Sequence, residues 1–284
     1  MRTSKLTLQQ EQQEWSDRLQ QDLRLQRLQL PSLPEITQRL REAVADRNIS
    51  VRALAQVLSA EPVLVAKLMQ AASASWIGLE PPANLEVAIT RIGMQSVRGI
   101  VYNYCLSKLF KERQTGPLRD ELRKIWQRAT LTAACAQMLA SKLALENSHA
   151  LLAGMMHNIG ALPILSLFGQ QRELAGRIDL MKLLLASDQA LLGEAILQHW
   201  QMPDDVIAVP RGLAHEGDAD SPVTVDVIRL ALELAKWQEV PNSTVPAIDN
   251  FPPAQRLHVD RRKLEPWLTQ SRKEIQSFLQ MLQN

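Results

Sequence analysis

Cysteine is almost missing from this chain: Cys105 and Cys135 are its only two, and each sits in an apolar segment. No CxxC pair occurs, so a disulfide scaffold is excluded, and the thiols read as small buried hydrophobes in a reducing compartment. Glycine is scarce (11 residues), and aromatic residues make up only 4% of the 284. The apolar share of 46% is carried mainly by Leu, Ala, Val and Ile, which points to helices rather than a sandwich or barrel. An excess of one charge is also missing. With 32 basic and 30 acidic residues the net charge is +2, without the concentrated basic face of a nucleic-acid binder. The opening residues, MRTSKLTLQQEQQEW, lack the apolar core of a secretory leader, so a cytoplasmic location is expected. Several motifs are absent as well: the GxxxxGK phosphate loop, GxGxxG, the GxSxG elbow and the HExxH zinc helix.

Long hydrophobic runs are few, and one needs a decision. Residues 147 to 171 contain no Asp, Glu, Lys or Arg, a length that would cross a bilayer. His157, Asn158, Gly160 and Pro163 stand in its middle, where polar groups are expensive in lipid and Gly and Pro break a helix. The run is read as a buried helical hairpin, residues 149 to 159 and 161 to 168, and no membrane contact is expected.

What is present is helical periodicity. Leu8, Trp15, Leu19 and Leu23 recur at helical spacing, which predicts an amphipathic arm over residues 1 to 27. In LPSLPEITQRLREAV, Ser32 and Glu35 make an S-x-x-E capping box, and Pro34 suits a first turn. Leu33, Ile36, Leu40 and Ala43 or Val44 follow on one face. Ser50 caps a helix with Val51, Leu54 and Leu58 inward, and Pro62 opens another with Leu64, Val65, Leu68 and Met69 inward. A short helix starts at Asn84 and stops at Gly93, and a longer one follows to about Phe110. Residues 118 to 145 form a long helix. Beyond the hairpin, helices are predicted over 172 to 185, 188 to 200, 203 to 214 and 222 to 238. The proline-rich VPNSTVPAIDNFPP is a loop, and the final segment places Leu268, Ile275, Leu279 and Leu282 on one face. No period-2 strand and no repeat is found. The fold class is all-α, a multi-helical bundle in two packed lobes, with residues 239 to 284 packing back on it.

Three features invite a function. Residues 50 to 73 have the layout of a helix-turn-helix, but the second helix offers a base edge only Lys67 and Gln70, so a plain helical hairpin is favoured. Arg261, Arg262 and Lys263 form a small basic cluster, read as a solvated helix face. Of the five histidines, His149, His157, His199, His215 and His258, only His157 is followed by a side chain able to act with it, Asn158.

The succession LPSLPEITQRL, EPVLVAKLMQAASASWIGL, LEVAITRIGMQSVRGIV, IWQRA, LLAGMMHNIG and LLGEAILQHWQMPDDV resembles the HDOD domain, the HD-related output domain of bacterial signalling proteins. Each block alone is weak; their order and spacing over about residues 28 to 238 are specific. The resemblance implies the helical architecture of the HD phosphohydrolases, in a branch generally regarded as regulatory. In catalytic relatives a first histidine, a His-Asp pair and a late aspartate bind metal, and further histidines are added in phosphodiesterases. Here the first-histidine position reads Arg128, after Trp126 and Gln127. The pair reads His157 and Asn158. The H-x-x-x-G position reads Gln189 with Gly193, and the double-histidine position reads His215 and Glu216. The late aspartate aligns with Lys236.

Elementary electrostatics agrees with that comparison. A catalytic divalent site needs three or more protein ligands and an open position. Asn158 keeps an oxygen but loses the carboxylate charge on which hard cations depend. A guanidinium at ~4 Å from a dication would repel it by about 8 kcal/mol at an effective dielectric of ~20. The expectation is therefore no metal, no cofactor and no catalytic group, with at most a stray zinc or nickel on His157 and His215. Arg128, His157, Asn158, Gln189, His215 and Lys236 form a vestigial pocket, filled either by buried polar contacts between helices or by a small anionic or nucleotide ligand on Arg128. The function implied is a non-catalytic signalling module that meets an unidentified signalling protein in trans. The rival readings are a divergent metal-dependent phosphohydrolase and a DNA-binding regulator.

Overall fold

The computed structural model describes residues 7–28, 39–40, 42–44, 46, 48–73, 81–112, 118–145, 149–215, 222–238 and 248–283. The described residues are helical throughout, without a strand. Helix α1 (Leu8–Arg24) opens on a T-x-x-Q capping box: Thr7 Oγ1 accepts from Gln10 N, and Gln10 Oε1 accepts from Thr7 N at 2.8 Å. The Ser32–Glu35 capping box lies outside the described residues. Leu40 and Val44, from the same stretch, are in the core.

Local signals place the next helices. Ser50 Oγ accepts from Ala53 N at the start of α2 (Val51–Leu58), and Pro62 is the first residue of α3 (Pro62–Ala72). Asn84 Oδ1 accepts from Val87 N at the start of α4 (Leu85–Ile92), which stops at Gly93. Helix α5 (Met94–Glu112) completes this lobe, in which α2 packs on α4, α3 on α4 and α5, and α4 on α5.

The second lobe is built on α6 (Arg119–Lys142), which carries a dozen buried residues. Against it lies α7 (Ala150–Met156), and after a bend the chain continues as α8 (Ala161–Gln170). The apolar run over residues 150 to 170 is thus buried inside the protein and bent at residues 157 to 160. Next come a 3-10 turn (Arg172–Leu174), α9 (Ile178–His199), α10 (Asp204–Ala214) and α11 (Val223–Gln238). Helix α9 corrects an expectation. Two helices were predicted over 172 to 185 and 188 to 200, but the chain runs through in one. The Ser187 hydroxyl donates to the neighbouring Asp188 carboxylate at 2.6 Å, and that carboxylate also accepts from Ser16 of α1. Neither is left to cap a new start.

The proline-rich region yields a short helix, α12 (Pro252–Arg256), against α11. Helix α13 (Arg261–Gln283) then crosses α3, α5 and α6 and so spans both lobes. Leu268 and Ile275 are buried there, Leu279 is half-buried, and Leu282 lies outside the described side chains. Arg261, Arg262 and Lys263 are exposed. Both lobes share one continuous hydrophobic cluster, and Cys105 and Cys135 are buried in it.

Two glycines let α7 and the bend after it approach their neighbours. A Cβ on Gly154 would stand 2.5 Å from the Ala133 Cα of α6, and one on Gly160 would stand 2.0 Å from the Gln189 carbonyl oxygen and 2.5 Å from the Gly193 nitrogen of α9. Both are clashes with backbone, which cannot rotate away. Gly160→Ala is expected to destabilise the fold by about 3 kcal/mol or to prevent folding, read from the urea unfolding midpoint.

Candidate functional site

The bend between α7 and α8 delivers the His-Asn pair into the protein. His157 follows the last residue of α7, and both His157 and Asn158 are 7% exposed. The turn is tight: Ile159 N donates to Met156 O, Ala161 N to Asn158 O, and Leu162 N to Ile159 O. His157 Nδ1 lies 2.7 Å from the Gly154 carbonyl, which only accepts, so the proton sits on Nδ1 and Nε2 keeps its lone pair. Burial pushes the imidazole down to about 4; the Gly154 bond opposes this, and the positive charge of Arg128 reinforces it. The ring is neutral at physiological pH. Asn158 Nδ2 donates to the Ile125 carbonyl at 3.1 Å and ties the turn to α6.

The other expected pocket residues are placed unequally. Arg128 is exposed on α6, within electrostatic reach of His157. Gln189 is half-buried on α9, with its carbonyl under Gly160. His215 ends α10, exposed, with Nδ1 2.9 Å from the Arg211 carbonyl. Lys236 is exposed on α11 and paired with Glu233. The turn thus brings Arg128, His157, Asn158 and the Gln189 backbone together, whereas the side chains of His215 and Lys236 are engaged on their own helices.

The residues around the turn do not fit a divalent ion of the HD type. Position 157 offers a single imidazole nitrogen, position 158 an amide whose nitrogen is already spent, and position 128 a fixed positive charge. Among the described residues no group of three or more His, Cys, Asp or Glu side chains gathers where a metal ion would fit.

Sequence reasoning missed three polar clusters, each joining segments far apart in the chain. His149 Nδ1 lies 2.9 and 3.1 Å from the two Asp205 carboxylate oxygens, and Thr224 Oγ1 donates to the same carboxylate at 2.9 Å. These three residues sit at the N-terminal ends of α7, α10 and α11, where helix dipoles favour an anion. Burial alone would raise the Asp205 carboxyl, but His149 and Thr224 hold it below the usual range. Asp226, buried on α11, takes the fork of Arg256 through two bonds of 2.6 Å and pairs with Arg229. Arg229 also donates to the Gly212 and His215 carbonyls and closes the end of α10. Glu61 joins Tyr104 and Lys108 of α5, and the Tyr104 hydroxyl bond holds its carboxyl low. Lys67, proposed as a base reader, is buried, which leaves α3 without that cation on its outer face.

The neutral His157 makes stability depend on acid. The unfolded chain binds a proton near pH 6.5 and the folded chain only near 4, so between these values the unfolded state carries more protons and stability falls as pH falls. The loss starts below pH 6.5, is complete near pH 4 and amounts to about 3 kcal/mol. His157→Gln is expected to flatten this part of the curve, measured by urea unfolding at successive pH values.

The comparisons with known proteins accord with this architecture. No curated protein matches the chain at a significant level. Among solved structures, a Shewanella amazonensis protein named provisionally as a metal-dependent phosphohydrolase is similar at a TM-score of 0.71 with 23% identity, over 95% of this chain and 99% of its own. A Geobacter sulfurreducens HDOD domain protein of unknown function gives 0.65 and 18%, over 93% and 99%. A Marinobacter aquaeolei protein named provisionally for signal transduction gives 0.61 and 22%, over 96% of this chain and 66% of its own. At these identities the likeness establishes the fold. The HDOD domain profile matches residues 30–212, most of the chain. The protein belongs to the HDOD domain family.

Proposed function

We propose that this protein is a non-catalytic regulatory module that acts through contacts with another signalling protein. The observation that carries the reading is the state of the His157 turn: a buried neutral imidazole, an amide tied to Ile125, and the charge of Arg128 facing them. Such a set neither neutralises a dication nor lowers the pKa of a bound water. Polar groups elsewhere serve as ties between helices, as at the buried Asp226 and the half-buried Asp205. The names of two structural relatives, one for signal transduction and one for phosphohydrolysis, mark the two classes to be separated. Purified protein is expected to hold only sub-stoichiometric iron, manganese or nickel, and to show no metal-dependent phosphatase or phosphodiesterase turnover that His157→Ala removes. Stoichiometric metal, with turnover abolished by that substitution, would establish the enzyme instead. DNA reading by α3 is disfavoured because Lys67 is buried.

A second reading, a small anionic or nucleotide ligand near the turn, is favoured by the exposed Arg128, whose positive charge reaches His157. Mononucleotides are expected to raise the melting temperature of the wild type and not of Arg128→Ala. Equal shifts in both proteins would dismiss the ligand at this position.

A further inference from the structure

Helix α1 meets the rest of the protein on α9, and that contact differs from the packing of the core. Of its 17 residues only Ser16 and Leu19 are buried. Trp15 and Leu23 are half-buried against the cluster. The remaining contacts are polar. Arg177 Nη2 donates to Glu11 Oε2, Gln12 Nε2 donates to Ser187 Oγ at 3.0 Å, and Ser16 Oγ and Gln20 Nε2 donate to Asp188 Oδ1 at 2.7 and 3.0 Å. Asp188 is 1% exposed, and its second oxygen accepts from the neighbouring Ser187. Among the described residues this buried carboxylate is bonded only by neutral donors, two of them on α1. A buried anion without such donors is costly, so this face of α9 selects an occupant that brings a hydroxyl or an amide. Apolar surface is also left over at this seam. Leu8, Leu25, Ile178 and Leu183, on α1, its cap and α9, are four of the six exposed large hydrophobics among the described residues.

We propose that this face of α9 is a docking surface for an amphipathic helix of a partner protein, and that α1 is its intramolecular occupant. The partner helix would repeat the chemistry of α1: a carboxylate for Arg177, a hydroxyl or amide one to two turns later for Asp188, and an apolar stripe spaced like Trp15, Leu19 and Leu23. While α1 is bound, an incoming helix meets only the fraction of molecules in which the arm is off, and its apparent affinity falls by that fraction. The proposal rests on the regulatory reading above and names where the partner lands.

The test uses the full chain and a fluorescent peptide of residues 7 to 25. Ser16→Asp sets a second negative charge against Asp188, and Leu19→Asp removes the buried anchor; both changes lie on the arm and leave the α9 face intact. The peptide is expected to bind either variant at least about tenfold more tightly than the wild type, as relief of occupancy requires. Adding Arg177→Glu should abolish the gain, and a peptide carrying Glu11→Lys should restore it. Hydrogen exchange over residues 8 to 24 reports whether the arm is off. If exchange is fast and the peptide still binds no better, the face accepts α1 only in cis and the proposal is overturned. Slow exchange in both variants overturns it too, because the arm is then fixed. Metal content and turnover of the same preparations report on the regulatory reading separately: an active metalloenzyme would end that reading and leave the peptide result standing.

Discussion

Two backbone-to-backbone contacts set the geometry of this protein around its one distinctive turn. Gly160 brings the start of α8 against the Gln189 carbonyl of α9, and Gly154 brings α7 against the Ala133 backbone of α6. Neither contact has room for a side chain. They hold the bend between α7 and α8 against its neighbours, with His157 buried there. The ring is then desolvated, its Nδ1–H donates to the Gly154 carbonyl, and its charge is suppressed. The chemistry of the site thus follows from how closely the backbones approach each other.

The charged groups of this molecule mainly fasten elements together. Asp205 binds three helix starts through His149 and Thr224. Asp226 joins α11 to α12 and, through Arg229, closes α10 at His215. Asp188 receives the arm. Each carboxylate is satisfied by donors from distant segments, an arrangement that specifies which helices meet as well as how strongly. Asn158 works in the same way, as a tie to Ile125, whereas the imidazole of His215 is turned onto its own helix.

Much of the fold was legible because its signals are local. Ser50, Asn84 and Gly93 mark helix ends through bonds within four residues, Pro62 marks one through its fixed backbone angle, and all four held. Apolar residues at helical spacing located the arm and the C-terminal helix, whereas the apolar run expected as a hairpin is two helices in line across a bend, α7 on α6 and α8 on α9. The break expected within residues 172 to 200 failed for a tertiary reason: Ser187 and Asp188 look like the start of a helix, but their oxygens are used elsewhere. The turn at His157 and Asn158 could be read from its composition, and its neighbour Arg128 from family spacing. The His149–Asp205 pair could not, since 56 residues separate its members and neither has a distinctive flank. Lys67 misled because a cation on a short helix is expected outside, whereas this one lies within the fold.

The bond from Asn158 to Ile125 makes the turn selective for the side chain at position 158. An amide at position 158 offers the α6 carbonyl a proton, while an aspartate there would set oxygen against oxygen. A carboxylate at this position would lose the tie to α6 and loosen the scaffold at the turn. The side chain that steadies the turn is thus a neutral donor, and the shape of the turn and its charge are set together.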